Sequence, residues 1–249
     1  MRADLLRMGK GGAVGGGNTG YPVSGKVKQM EETQYYKTVY SKFWKNQTKK
    51  YGYSVYERNL VRLIADSAPA RVFEVGIGTG WPIGAALKEK GIRVDGCDIA
   101  ESSVALAQKE LENAEGICTG DVMEYSGGKG VYDVVYCVRA SWYIPDFYQT
   151  VRQMASMTRP GGTIIFDVMD KYSTHCLNVQ KEAIKEKYFR FLGIHVEENY
   201  GQHFICLWRM KRFLRQNGLS YECWNEREIT GSSDRKHTPK VVFCCRKEC

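Results

Sequence analysis

Apolar residues recur along this chain in two rhythms, and the stretches over which each holds predict its elements. From about Glu31 to Thr48, Tyr36, Val39, Tyr40, Phe43 and Trp44 lie at helical spacing and predict one amphipathic helix. Ser54 and Glu57 in "SVYE" have capping-box spacing, in which a hydroxyl caps the helix and an acid three residues on returns to the cap amide. A second helix should run from there to about Ala65 and stop before Pro69. Strand and helix signals then alternate, with strands expected at 71–75, 92–97, 116–119, 132–138 and 163–168, and helices at about 82–90, 102–112 and 146–157. Pro82 suits a first helical turn, and Asp146 with Gln149 marks another helix start. The strands at 71–75 and 132–138 are apolar at nearly every position, the pattern of strands covered by helices on both faces. The fold class predicted is a doubly wound α/β sheet.

After Asp170 the alternation breaks. Residues 171–205 hold a polar helix candidate at 178–192 followed by short aromatic strand material, and are expected to be an insertion over the sheet's edge. A helix at 208–217 ending at Gly218, a strand near 219–224 and the run at 240–245 resume the fold. Residues 9–20 contain seven glycines and no periodicity, so 1–28 is expected to be a disordered, dispensable leader. That leaves 29–249 as one domain, with 29–66 as its helical cap, a size that one hydrophobic core can fill.

Charge and cysteines narrow the picture. The net charge of +8 divides into +7 over residues 1–66, −5 over 67–170 and +6 over 171–249, so an acidic centre lies between basic flanks. "KNQTKK" and "RMKRFLR" are the runs a nucleic-acid binder would use, but the second has Leu207, Met210, Phe213 and Leu214 at helical spacing, and its charges read as a solvated face. No stretch approaches the roughly 18 apolar residues of a membrane span, and the first twenty residues lack the apolar core of a secretory signal. The nine scattered cysteines, several inside apolar runs, fit a reducing cytoplasm. "CCRKEC" has no CxxC partner, so no metal site is expected there.

Candidate chemistry concentrates in "VFEVGIGTG", residues 72–80. Gly76, Gly78 and Gly80 stand where the first strand turns into its helix, the place where open parallel sheets bind ligands. The dinucleotide fingerprint fails, because Trp81 stands three residues after Gly78, and no Gly-Lys-Ser/Thr of a phosphate loop follows. Glu74, just before the first glycine, repels an anion and attracts a cation. Asp98 in "GCDIA", 22 residues beyond Gly76, is placed to accept hydrogen bonds from a ribose diol, with Asp95 as its competitor. Asp121 closes the third strand, where it can accept from an exocyclic amine, and Glu124 reads as surface. The ligand implied is a nucleoside with free hydroxyls, a cationic appendage and no phosphate.

The ordered motifs "FEVGIGTG", "GCDIA", "TGDVMEY", "YDVVYCVRASWYIPD" and "TRPGGTIIFDV" resemble the class I S-adenosylmethionine-dependent methyltransferases over about residues 55–170, and more loosely over 205–247. The resemblance implies a Rossmann-like seven-stranded sheet of order 3-2-1-4-5-7-6 with only the last strand antiparallel. It implies S-adenosyl-L-methionine as methyl donor and S-adenosyl-L-homocysteine as product. The glycine loop then meets the methionyl part, Asp98 the ribose and Asp121 the adenine. Ile99, Val122 and Cys137 are their neighbours in that site, and Tyr36 from the N-terminal helix is a candidate roof. Arg139, Trp142 and Tyr143 follow the fourth strand and face the substrate, with Trp81 at the pocket mouth. The family usually has Asp where this chain has Glu74.

Methyl transfer from a sulfonium needs alignment and a dry pocket, and a general base when the acceptor is a hydroxyl. His175, His195 and His203 belong to the 171–205 insertion, where a substrate lid is expected, and are the candidate bases; His237 lies in a loop outside it. No Asn-Pro-Pro-Tyr or Asp-Pro-Pro-Tyr follows the fourth strand, which disfavours methylation of base amino groups. The reading is methyl transfer to the O or N of a small-molecule acceptor, by a cytoplasmic monomer or homodimer with neither membrane nor nucleic acid as partner. The alternatives are an RNA-modifying methyltransferase using the basic flanks and a non-catalytic donor-binding regulator.

Overall fold

A computed structural model describes residues 34, 53–193, 202–231 and 239–248. The glycine-rich leader, Tyr36 with the rest of the aromatic helix candidate, His195 and His237 lie outside the described residues. The elements in chain order are α1 (Val55–Ala65), β1 (Arg71–Val75), α2 (Ile83–Lys88), β2 (Arg93–Asp98), α3 (Glu101–Leu111), β3 (Ile117–Thr119), β4 (Tyr132–Cys137), α4 (Phe147–Met157) and β5 (Thr158–Met169). They continue with α5 (Thr174–Phe191), α6 (Leu207–Gln216), β6 (Leu219–Asn225), α7 (Glu226–Thr230) and β7 (Lys240–Lys247).

The seven strands form one sheet of order β3-β2-β1-β4-β5-β7-β6. β7 runs antiparallel to both neighbours, and the pairings among β1 to β5 are parallel, as the family resemblance implies. Successive residues of a strand point to opposite faces. Thus Val72 and Tyr136 join α1, α2 and α3 in one apolar cluster, while Phe73 and Cys137 join α4 and α6 in the other. On α1, Tyr56, Leu60, Val61 and Ile64 supply the inward stripe. Its start is the capping box expected from Ser54 and Glu57.

Two element starts differ from the sequence reading by more than two residues, and one helix is new to it. β5 begins at Thr158, directly after α4, because Thr158 pairs with Tyr132 before the register shifts to Val134 and Thr163. α5 begins at Thr174 instead of 178, since the buried Ser173 hydroxyl accepts the Cys176 amide at 3.2 Å and supplies a start that the polar composition conceals. α7 was not anticipated, although Asn225 and Glu228 form a capping box around it. Among the described residues no helix is long and apolar enough to cross a membrane, and the eight described cysteines are free.

Candidate functional site

The carboxyl ends of β1, β2 and β4 converge at the turn after β1. Gly76 has φ +71°, and a Cβ there would stand 2.6 Å from the Ala140 Cβ, so the chain passes this point only as glycine. The Gly76 and Ile77 amides both donate to the Cys97 carbonyl, at 2.9 and 3.1 Å, which stitches the turn to β2. Gly78, at φ +55°, has no heavy atom within 4 Å of where its Cβ would be, so a ligand can approach the backbone there. Gly80 instead packs against α3, its would-be Cβ 3.1 Å from the Leu111 Cγ.

Two carboxylates frame this turn. Asp98 at the end of β2 accepts from the Gly78 and Ala100 amides, both at 2.9 Å. Burial raises its pKa above the ordinary range, opposed by the amides of Ala100, Gly78 and Ile99. Glu74 lies deeper, its Oε2 accepting from the Tyr136 hydroxyl at 2.9 Å. Burial pushes its pKa up to about 8; the Tyr136 hydroxyl opposes that rise and the nearby Asp98 charge adds to it. Asp95 is withdrawn from the competition for a ribose. It is wholly buried, receives the Arg71 Nε at 2.6 Å, the Arg93 Nε at 3.2 Å and the Asn113 Nδ2 at 2.9 Å, and joins β1, β2 and the turn before β3.

The remaining predicted residues distribute around this centre. Asp121 is exposed and accepts the Met123 amide at 2.9 Å, while Val122 beside it is buried and Glu124 is on the surface. Cys137 is fully buried in the sheet's second apolar cluster. Trp142 is buried, and its carbonyl accepts the His203 amide at 2.8 Å, so His203 sits beside the segment that follows β4. Tyr143 packs edge-on against the Trp142 ring, centroids 5.9 Å apart. His175 is exposed, with its Nε2 3.4 Å from the Gln202 Oε1 and its ring against Phe204.

Arg139 is held from two sides. Its φ is +64°, its amide donates to the Asp167 Oδ1 at 2.8 Å, and its Nη1 pairs with the Glu57 Oε1 at 2.7 Å. The other Asp167 oxygen accepts the Tyr56 hydroxyl at 2.9 Å, and burial pushes the Asp167 pKa up to about 6 against these donors and the charges of Lys240 and Arg139. Asp167, Tyr56 and Tyr136, and the pairing of Glu57 with Arg139, were missed from sequence. A lone acid within "TIIFDV" was a signal, because a charge in a two-faced apolar strand needs a partner.

Thr79 Oγ1, Trp81 Nε1 and Trp142 Nε1 are buried and find no partner among the described residues. Two carboxylates, unpartnered donors and open space above Gly78, with no lysine in the loop, suit hydroxyls and a cationic group and suit a phosphate poorly.

Comparison with known proteins agrees. A methyltransferase domain family matches residues 73–166. A ubiquinone biosynthesis O-methyltransferase of Bordetella avium is 30% identical over 110 residues, spanning 41% of this chain and 43% of that protein. The alignment thus reaches less than half the length of that curated relative. Magnesium protoporphyrin IX methyltransferase of Synechocystis, solved with bound S-adenosylhomocysteine, superposes with a TM-score of 0.63 at 17% identity, covering 88% of this chain and 99% of the other. An N-methyltransferase of Haemonchus contortus, solved with phosphomonomethylethanolamine and S-adenosylhomocysteine, gives a TM-score of 0.54 at 17% identity, covering 77% and 52%. Over residues 73–166 the chain thus matches a methyltransferase domain family, and its sheet order is that of the class I S-adenosylmethionine-dependent methyltransferases.

Proposed function

We propose that the protein transfers a methyl group from S-adenosylmethionine to an oxygen or nitrogen of a small-molecule acceptor. The observation that carries the reading is the pair of buried Glu74 and half-buried Asp98 near the ends of adjacent strands, under an open glycine turn that holds no lysine. The bound donor supplies an electrophilic methyl on a sulfonium. Asp98 would accept from the ribose hydroxyls, and Asp121 and Val122, with Ile99 as their neighbour, would hold the base. Gly78, open above its backbone, would let the chain come close to the methionyl part, with Gly76 and Gly80 setting the turn around it.

Arg139, Trp142 and Tyr143 form the acceptor side, where two aromatic rings exclude water and align the nucleophile. Residues 171–205 act as a lid over that side. For a hydroxyl acceptor, His203 would take the proton, a role supported by the hydrogen bond from its backbone amide to the Trp142 carbonyl. His175, exposed and 3.4 Å from the Gln202 Oε1, is the weaker candidate base, and His195 remains a third. The O-methyltransferase and N-methyltransferase among the relatives support the class of reaction and leave either atom open.

The test is calorimetry of the purified chain with S-adenosylhomocysteine, ATP and NAD, followed by incubation with labelled donor and fractions of small metabolites or RNA. Uptake of S-adenosylhomocysteine alone, with label entering the metabolite fraction, is the expected outcome. Tight binding of ATP without it, or label only in RNA, overturns the proposal.

A further inference from the structure

Glu74 differs from an ordinary ligand-binding carboxylate in what surrounds it. From β4 it faces the Tyr136 hydroxyl, its hydrogen-bond donor. From β2 it faces Asp98, a second acid. From α2, Gly84 approaches it, with a would-be Cβ 3.6 Å from Oε2. Among the described residues no lysine, arginine or histidine acts on it. A carboxyl group buried this way is held protonated at neutral pH by the cost of placing a charge in a low-dielectric site beside another acid. A cationic group arriving nearby reverses that balance, and a neutral one does not.

Resting on the methyltransferase reading above, we propose that the Glu74–Tyr136 pair is a specificity-determining device that separates the cationic methyl donor from its neutral demethylated product. When the donor binds, the Glu74 O–H bond breaks, its proton goes to solvent, and the carboxylate stays under the positive charge, hydrogen-bonded by Tyr136. When the product is bound, Glu74 keeps its proton. The two ligands share the same ribose, base and amino-acid end, so the titrations of Asp98 and of the ligand's own amino group are common to both. Only the sulfur differs in charge.

The experiment is calorimetric titration of the protein with S-adenosylmethionine and, separately, S-adenosylhomocysteine from pH 6 to 9, in buffers of different ionisation heat so that proton release is counted. With a Glu74 pKa of about 8, the ratio of donor to product affinity should rise about tenfold from pH 6 to 7, about fivefold from 7 to 8, and level off above. At pH 7 the donor should release close to one proton (~0.9) more than the product does. Glu74→Gln, which imitates the protonated form, should flatten the ratio. Tyr136→Phe should move the inflection upward by about one pH unit, because the ionised form loses its donor. Product binding shows in each variant that the site is folded. Equal proton release for both ligands, or an inflection that survives Glu74→Gln, overturns the device and leaves the methyltransferase reading standing. Failure of both ligands to bind at any pH overturns the two together.

Discussion

The contrast between two acids three residues apart tests the placement of the ligand most directly. Asp98→Ala removes a carboxylate whose two oxygens already accept from Gly78 and Ala100 and have lone pairs left for a diol. A hydrogen bond to a charged group is worth about 1.5–3 kcal/mol. Losing two of them, less what water recovers, should weaken S-adenosylhomocysteine binding by roughly 3 kcal/mol, on the order of 100-fold. Folding should change by only about 1 kcal/mol, because the lost amide bonds are offset by relief of a buried charge.

Asp95→Ala should do the reverse. Its carboxylate is buried, but Arg71 and Arg93 have side chains 40% and 54% exposed, so both guanidinium groups can turn to water once it is gone. The full cost of breaking a buried pair, about 3–5 kcal/mol, is therefore reduced to roughly 2–3 kcal/mol. Urea midpoints measure the stability arm, and isothermal titration with S-adenosylhomocysteine below the unfolding transition measures the binding arm. Binding by the Asp95→Ala protein should stay within about threefold of the parent. If that variant loses affinity and Asp98→Ala keeps it, the assignment of the ribose to the end of β2 is wrong.

Three further outcomes follow from the same geometry. Gly76→Ala should lower stability by about 2 kcal/mol or more, through a left-handed backbone and contact with the Ala140 Cβ, read as a fall in Tm. Arg139→Ala and Arg139→Gly both lose the Glu57 pair, but at φ +64° the glycine variant should be the more stable by about 1 kcal/mol in chemical denaturation. Asp167 has a folded pKa of about 6 against an unfolded value of 3.8, so the native state binds its proton more tightly. Its contribution is therefore full below pH 3.8 and is lost as pH rises through 6, by about 3 kcal/mol. Asp167→Asn should flatten that part of the curve of urea midpoint against pH.

Much of the sheet was legible because a parallel strand covered on both faces reveals itself as an unbroken apolar run, as at 71–75 and 132–138. The glycine turn was legible for a similar reason, since positive φ at three alternate positions demands a residue without Cβ. The choice of Asp98 over Asp95 followed from strand-end position alone. What stayed hidden depends on pairings across long separations: Tyr136 with Glu74 at 62 residues, Asp167 with Tyr56 at 111, Arg139 with Glu57 at 82. Tyr136 and Tyr56 read as core aromatics, and they are; only the fold shows that each also carries a hydroxyl to a buried acid. Glu57 was read as a capping residue, and its second role with Arg139 has no local signature.

These long-range pairs have a common consequence for the acceptor side. A non-glycine residue with φ +64° is unstable by about 1–2 kcal/mol unless its surroundings fix it. Arg139 is fixed by Asp167 on its amide and by Glu57 on its guanidinium, and neither acid belongs to its own strand. Asp167 is in turn satisfied by Tyr56, one residue before Glu57 on the first turn of α1. The entry of α1 into the fold therefore sets where the chain turns after β4, and that turn places Ser141, Trp142 and Tyr143, with the Ser141 hydroxyl closing onto the Asp167 carbonyl. His203 hangs on the same segment through the Trp142 carbonyl. A single polar chain thus runs from α1 through Asp167 to the residues proposed to face the acceptor. A change in the packing of α1 reaches that wall with no covalent neighbour between them, while Glu74 and Asp98, anchored on β1, β2 and Tyr136, are held independently of it.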